Sequence, residues 1–535
     1  MADSYEVKDE FVKGLLSPSC FRHEVSRLEL VETHISWILL TGLYAYKIKK
    51  PVNLGFLDFS TLDKRHYYCH EELRLNRRTA PDIYIAVVPV TGSVESPMME
   101  GIGEPLEWAI KMIQFDNADQ LDVMFGQSRI HDEQLDALAD AATSFHDRIP
   151  HLDLKEPYGA PSQIIKPVRE NYRQIPDCSG DPAVSDSAQH IQQWHEIMFH
   201  HLGTEFEQRR RQGHVRECHG DLHLRNITFH QGRPVLFDCI EFDPNLRWID
   251  TINDMAFLIM DCWEKGHQEA AFRILNRYLE NNGDYRALVL LPFYMVYRAM
   301  VRAKVACISR QQSLHSGDLE CAEKHSRDLK KYTEFSETII RPGTPLLIIT
   351  HGLSGSGKTV ISGRIIERLP AIRIRSDVER KRLFSGESHS ARKDRIDEGL
   401  YSASKSERTY RHLADLAEKI LSAGFNVVID AAFLRYEQRE FFREVAKKQS
   451  AVFRIISFHA PISLLEQWLT KRQRENRDAS DAGVDVLHHQ LRTREPLDEK
   501  ESEMTLFVDT SGTVDIEALV TELKATATRQ RPNQY

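Results

Sequence analysis

The 535-residue sequence predicts an α/β protein in two parts: a bilobal α+β region over 1–340 and a doubly wound parallel α/β region over 341–535. Three observations predict this. Short β-rich runs broken by one helical stretch fill residues 24–115, and mostly helical patterns follow to about 338. "RPGTP" at 341–345 then sets two prolines around a glycine and interrupts every periodicity. Beyond it, apolar strands alternate with helices, the pattern of a parallel sheet covered on both faces.

In the first lobe (about 1–115), "ISWILL", "AYKIKK", "IYIAVVPV" and "EWAIKMIQF" predict strands, and "LDKRHYYCHEELRLNRR" predicts a helix between them. The second lobe (about 116–340) carries helical patterns at 119–147 and 187–212. The Pro-rich, polar stretch at 157–182 between them predicts a long ordered loop. "PVLFDCIEF" predicts a strand, and "WIDTINDMAFLIMDCW" opens a run of helices. After 341, "LLIITHGL", "AIRIRSD", "NVVIDAAF" and "VFRIISF" each precede a helix. No internal repeat relates the two parts.

Composition narrows the class. With 41% hydrophobic and 28% charged residues, the chain is globular, and its net charge of -9 argues against general binding to duplex nucleic acid. The eight cysteines include no C-x-x-C pair and predict reduced thiols, with neither a zinc site nor a disulfide framework. The opening "MADSYEVKDEF" lacks the basic start and apolar stretch of a signal peptide. The most apolar run, "ALVLLPFYMVYRAMV", contains a proline and an arginine and is too short to span a bilayer. A cytoplasmic protein without membrane contact is the expectation.

The most specific motif is "GLSGSGKT", which matches G-x-x-x-x-G-K-[ST] between an apolar strand and a helix. Such a loop turns backbone N–H groups toward phosphates at a helix N-terminus. Gly352, Leu353, Ser354, Gly355, Ser356, Gly357, Lys358, Thr359 and Val360 are therefore candidate nucleotide-binding residues. Lys358 suits the β/γ-phosphates, and the Thr359 hydroxyl suits Mg²⁺. Asp430 ends the strand of "NVVIDAAFL" as a second candidate metal carboxylate. Ala431 follows it, where a mechanical ATPase would place a water-activating Glu, so transfer to a bound acceptor is favoured over hydrolysis.

The acceptor side is predicted at "IRIRSDVERKR". Asp377 falls at the carboxyl end of a strand, where open α/β sheets bind ligands and a carboxylate can take a hydroxyl proton. A plain helix N-cap is its simpler alternative. Arg380 lies one turn on, placed to hold an anionic or polar acceptor. In "WLTKRQRENRDASDA", Arg472, Arg474 and Arg477 suit a lid that closes cations over the transferring phosphate; a solvated basic face is the alternative.

"CHGDLHLRN" has a different chemistry. Asp221 is spaced to accept an acceptor's proton, and Asn226, five residues on, to turn back onto a metal. Asp238, twelve residues later and after an apolar run, suits the second metal position, so D-x4-N-x11-D predicts one converged site. Its nucleotide lysine is sought in the β-rich lobe. Lys47 is the first choice and Lys49 the next, on the same face of one strand, with Glu71 or Glu72 of the following helix as ion-pair partner. A basic edge strand is the alternative for the lysines.

On these motifs the second part resembles the small-molecule and polynucleotide kinase branch of P-loop proteins, over about 345–510. The first part resembles the aminoglycoside phosphotransferase-like kinases, which include choline and homoserine kinases, over about 20–335. That resemblance implies a protein-kinase-like bilobal fold and a structural role for His219. It also implies an aspartate that braces the catalytic loop, Asp250 or Asp254. The sequence departs from the family in one place: "VETHISWILL" stands where a G-x-G-x-x-G loop would precede Lys47. As a whole the chain is similar to a fusion of an aminoglycoside phosphotransferase-like domain with a P-loop (AAA-family) kinase domain. ATP and Mg²⁺ are the cofactors implied, and a small molecule, sugar or nucleic-acid end is the acceptor. A nucleotide-sensing regulator, with one half binding without transfer, is the competing expectation. Glu241, Asp243 and Asp261 are the acidic residues available to a cationic sugar; the sequence does not place them in one pocket.

Overall fold

The computed structural model describes residues 10–55, 57–341, 343–385, 403–475 and 483–529. The chain forms two compact units, 1–167 with 203–258 and 168–202 with 259–535.

The first unit is built on a six-stranded antiparallel sheet in the order β1-β2-β3-β6-β4-β5. Its strands are β1 (Glu29–Glu32), β2 (Ser36–Leu40), β3 (Tyr44–Lys49), β4 (Tyr84–Gly92), β5 (Pro97–Met99) and β6 (Glu107–Ile113). One buried cluster gathers Trp37, Leu39, Tyr46 and Ile48; another gathers Ala45, Cys69, Leu73 and Ile110. Alternate residues of β3 thus serve opposite faces. Helix α1 (Leu62–Asn76) starts at Thr61, whose side chain accepts the Lys64 N–H. Because β3 lies between β2 and β6, Lys47 sits in an interior strand opposite Ile38 and Ile110. The edge-strand alternative is therefore excluded.

This unit also holds α2 (Leu121–Gly126) and α3 (Asp132–Arg148). Two small ribbons follow further along the chain. Strand β7 (Val215–Glu217) pairs with β10 (Trp248–Asp250), and β8 (Ile227–His230) pairs with β9 (Arg233–Leu236). The predicted strand at 234–242 is shorter than expected: it stops at Leu236, and Asp238 takes φ +65, which no ladder residue adopts.

The loop expected at 157–182 is corrected too. Helix α4 (Pro161–Ser179) occupies it, followed by α5 (Pro182–Arg211). Pro161 falls at the first helical position, where its missing N–H has no partner to lose. Ile165, Val168, Tyr172 and Ile175 recur at three- and four-residue intervals and are buried. Proline content hid this periodicity.

After the short α6 (Pro244–Arg247) come α7 (Thr251–Glu264), α8 (Gln268–Asn282), α9 (Leu291–Ser316) and α10 (Leu319–Ile340). The second unit continues with a five-stranded sheet, parallel throughout, in the order β12-β13-β11-β14-β15. Its elements alternate: β11 (Leu346–His351), α11 (Lys358–Arg368), β12 (Ala371–Arg375), α12 (Ser376–Leu383), α13 (Ala403–Ser422), β13 (Asn426–Asp430), α14 (Tyr436–Lys448) and β14 (Val452–His459). Then come α15 (Ile462–Glu475), α16 (Val484–Thr493), α17 (Glu499–Glu503), β15 (Thr505–Asp509) and α18 (Ile516–Arg529). Within this unit α8 packs along the sheet edge. Asn276 donates to the Ala371 carbonyl (2.9 Å) and accepts the Arg373 N–H (2.7 Å), acting on β12 as a short neighbouring strand would.

Cys20, Cys69, Cys218, Cys239, Cys262 and Cys321 are free thiols as expected, but Cys307 is disulfide-bonded, against the expectation. Among the described residues no helix is long and apolar enough to cross a membrane.

Candidate active sites

The first site is assembled from β3, α1 and the two ribbons. Lys47 extends from β3 to Glu72 of α1 (2.8 Å) and to Asp238 (2.5 Å). Lys49, two residues along the same face, bonds the other Glu72 oxygen (2.6 Å) and also Glu241. All but Asp238 are buried, so the charges depend on one another. Burial opposes the Lys47 charge, yet Asp238 and Glu72 outweigh it and hold the ammonium well above its ordinary range. Burial likewise opposes the Glu72 carboxylate, and the two lysines nevertheless push it well below the usual range. Glu71, the alternative partner, instead joins Arg74 (2.7 Å) and Arg247 (2.8 Å).

Glu72→Ala should therefore leave two buried ammonium groups short of a counter-charge. The expected loss is about 3–5 kcal/mol of stability. Urea unfolding of the full chain, followed through its first transition, checks this; a loss below about 1 kcal/mol would contradict the network.

The loop of "CHGDLHLRN" is held from beneath. Asp254 accepts the His219 and Gly220 N–H groups (both 2.9 Å) and the His146 ring (3.2 Å). Of the two candidate braces it is thus Asp254 that holds the loop, while Asp250 pairs with buried Arg209 (2.6 Å). His146, Cys218 and Asp254 lie close enough to suggest a metal. The Asp254 oxygens, however, are already engaged by two N–H groups and a ring. Gly220 turns with φ +86, and a β-carbon there would meet the Leu246 carbonyl at 2.7 Å, so no other residue fits. His219 donates to the Phe237 carbonyl (2.8 Å) and accepts the Asp221 N–H (3.3 Å), a structural role as expected.

Asn226 reaches back to the Asp221 carbonyl and carboxylate (3.0 Å each), and His223 Nε2 lies 3.3 Å from the same carboxylate oxygen. His223 Nδ1 accepts the Arg225 N–H, so Nε2 carries the proton and donates. One Asp221 oxygen is thereby held twice. The D-x4-N-x11-D spacing predicted one converged site; the structure pairs Asp221 with Asn226, and Asp238 with Lys47, as two groupings. His223, Glu241, His146 and Arg209 were not singled out for these contacts. Only Glu241, three residues after Asp238, carried a local signal.

The second site lies at the carboxyl ends of β11, β12 and β13. A cleft of about 1350 Å³ is lined by Ser354–Ile361, Asp377, Arg380, Asp430 and Arg472, among others. Gly352 has φ +144, and a β-carbon there would come within 2.6 Å of the Phe458 carbonyl. Lys358 folds back to the Gly352 (3.0 Å) and Leu353 (2.7 Å) carbonyls, and burial lowers its pKa to about 8, with Asp430 and Asp377 opposing the shift. The Ser354 N–H is held by Gln490 of α16 (2.8 Å), a contact with no sequence signature.

Asp430 meets Ser362 (3.4 Å). Asp377 lies 3.7 Å from Arg380 and is the second residue of α12, whose N-cap is Arg375; the N-cap alternative is thus corrected. Arg375 bonds Glu280 of α8 (2.9 Å). Arg477 and the Arg474 side chain lie outside the described residues. Glu241 is engaged by Lys49, Asp243 caps α6 by accepting the Asn245 N–H (2.9 Å), and Asp261 pairs with Lys265 (3.0 Å).

Two family models match parts of the chain, the first beginning after Lys47 and Lys49. Residues 69–291 match the phosphotransferase enzyme family and residues 347–497 match an AAA domain. The chain thus joins a phosphotransferase domain to a C-terminal P-loop kinase-like domain, and its general function is phosphotransfer. An uncharacterized protein of Mycobacterium tuberculosis (strain ATCC 25618 / H37Rv) is 27% identical over 465 residues, 86% of this chain and 90% of the relative. Among solved structures, a choline/ethanolamine kinase family protein from Mesorhizobium loti is similar at 10% identity, covering 62% of this chain and 99% of its own, with TM-score 0.35. A gluconokinase from Sinorhizobium meliloti is similar at 21% identity, covering 35% and 94%, with TM-score 0.24.

Proposed function

We propose that each half transfers the γ-phosphoryl of Mg·ATP to a hydroxyl acceptor: a small molecule, a sugar or a nucleic-acid end. The observation that carries this reading is Lys47 lying between Glu72 and Asp238, in one unit with the Asp221–Asn226 pair. In the first half, Lys47 holds nucleotide phosphate, Asn226 and Asp238 offer the hard oxygen ligands that suit Mg²⁺, and Asp221 takes the acceptor's proton. In the second half, the Gly352 cradle and Lys358 hold phosphate. Thr359 and Asp430 suit the metal, Asp377 takes the proton, and Arg380 and Arg472 face the cleft with their charges. Bound Mg²⁺ would neutralise phosphate charge in both sites. The test is transfer of ³²P from γ-labelled ATP by the full chain to a panel of alcohols, sugars and oligonucleotide ends. No labelled product from any of them, with only phosphate released, would reject it.

Asp377→Asn is expected to keep nucleotide binding while lowering transfer by the second half about a hundredfold. Unchanged transfer would remove Asp377 from the reaction.

A pH effect follows from Lys358. Its pKa is about 8 without a ligand, and phosphate stabilises the protonated form, raising the pKa in the complex. Between pH 8 and the higher bound value the free chain carries fewer protons, so binding takes one up and affinity falls as pH rises. Calorimetry at pH 8.5 in buffers of different ionisation enthalpy should show proton uptake; none should be seen at pH 6.5.

A second reading, in which the first half senses nucleotide without transfer, is favoured by one observation. The β1–β2 turn is a closed hairpin, with Thr33 N–H bonding the Ser36 carbonyl (2.9 Å) and Ser36 N–H bonding the Thr33 hydroxyl (2.9 Å). It contains no glycine to lie over phosphates.

A further inference from the structure

We propose that His66 and His70 form a surface site for a borderline divalent cation of the zinc, nickel or copper type. They stand one turn apart on α1, and their Nε2 atoms face each other at 3.1 Å. Imidazole nitrogens bind zinc at about 2.0–2.1 Å, so two neighbouring ligands of one ion stand about 2.9–3.4 Å apart, by tetrahedral and octahedral geometry. The pair already has that separation.

The rings are also prepared for it. His66 is half-buried and stacks on Trp108, with centroids 3.8 Å apart and planes 19° apart, which fixes the direction of its Nε2. His70 is exposed and leaves the outer side of the pair open to an ion and its waters. Without an ion, one Nε2 carries a proton and donates it to the other. An ion requires only that this ring move its proton to Nδ1, with no net release. Burial and the neighbouring His70 lower the His66 pKa, which keeps that ring neutral and able to bind near pH 7. Two imidazoles select zinc, nickel or copper over magnesium or calcium, which prefer oxygen. The ion would clamp the half of α1 that precedes Glu72, two residues beyond His70.

The chain has 24 histidines, so the test is a difference measurement. The full chain is titrated calorimetrically with ZnCl₂ and, separately, with CuCl₂ while tryptophan emission is followed. His70→Ala leaves the His66–Trp108 stack in place and should weaken one Zn²⁺ binding event at least tenfold. CuCl₂ should quench a part of the emission that is lost in Trp108→Phe, and MgCl₂ should produce neither signal. Thermal melts confirm that both variants fold. Identical Zn²⁺ isotherms for the chain and His70→Ala, or the same quench in Trp108→Phe, would overturn the proposal.

Discussion

Lys358→Ala lowers phosphoryl transfer by the second half by about three decades, the loss expected when a preorganised charge is withdrawn from the transferring phosphate. The structure gives the reason a smaller residue cannot substitute. Lys358 is half-buried at the start of α11, over carbonyls that repel phosphate, and it is the loop's one ammonium. Without it the cradle keeps hydroxyls and backbone N–H groups, one of the latter already bonded to Gln490, but no charge of its own. The full chain with this substitution should retain its melting temperature, since the ammonium costs stability where it is buried. Any transfer that remains then belongs to the first half, which makes the variant the background for the next experiment. Full transfer to an acceptor of the second half would mean that the loop is not a working site.

In that background, Asp221→Asn should reduce the remaining transfer by about two to four decades while leaving Mg·ATP binding intact. Asp238→Ala should behave differently, abolishing Mg-dependent binding, because Asn226 is left as the lone proposed ligand from the D-x4-N-x11-D set. Calorimetry with Mg·ATP separates the two. Heat in the Lys358→Ala background that disappears with Asp238→Ala, together with turnover that disappears with Asp221→Asn, supports an active first half. Binding without turnover in the parent supports sensing. An absence of binding at millimolar nucleotide rejects both.

Much of this was legible in the sequence because it is local. The P-loop, the alternation after 341 and the Asp221–Asn226 spacing each depend on neighbours within about twenty residues, where backbone periodicity fixes direction. The choice between Glu71 and Glu72 was not, since both lie on α1 and only the helix's rotation against β3 decides. Asp250 and Asp254 differ in the same way, by which of them lies beneath the Gly220 turn. Gln490 on Ser354 and Glu280 on Arg375 join residues about 95 to 136 positions apart, and no local pattern encodes such pairs. The α4 helix was missed because three prolines outweighed its apolar spacing, although one of them starts the helix.

The strand-like bonds of Asn276 to β12 bear on how this gene can change. An open parallel sheet ends in unpaired N–H and C=O groups that recruit other chains, and proteins must shield them. Here a side chain encoded before residue 341 does the shielding. A fragment beginning at 341 would expose β12 and is expected to self-associate, whereas one beginning near 259 would keep α8. A break at 341 is thus expected to cost solubility, whether or not the two reactions depend on each other. The cut that keeps this sheet edge covered lies before α8, not at the proline-rich break in the sequence.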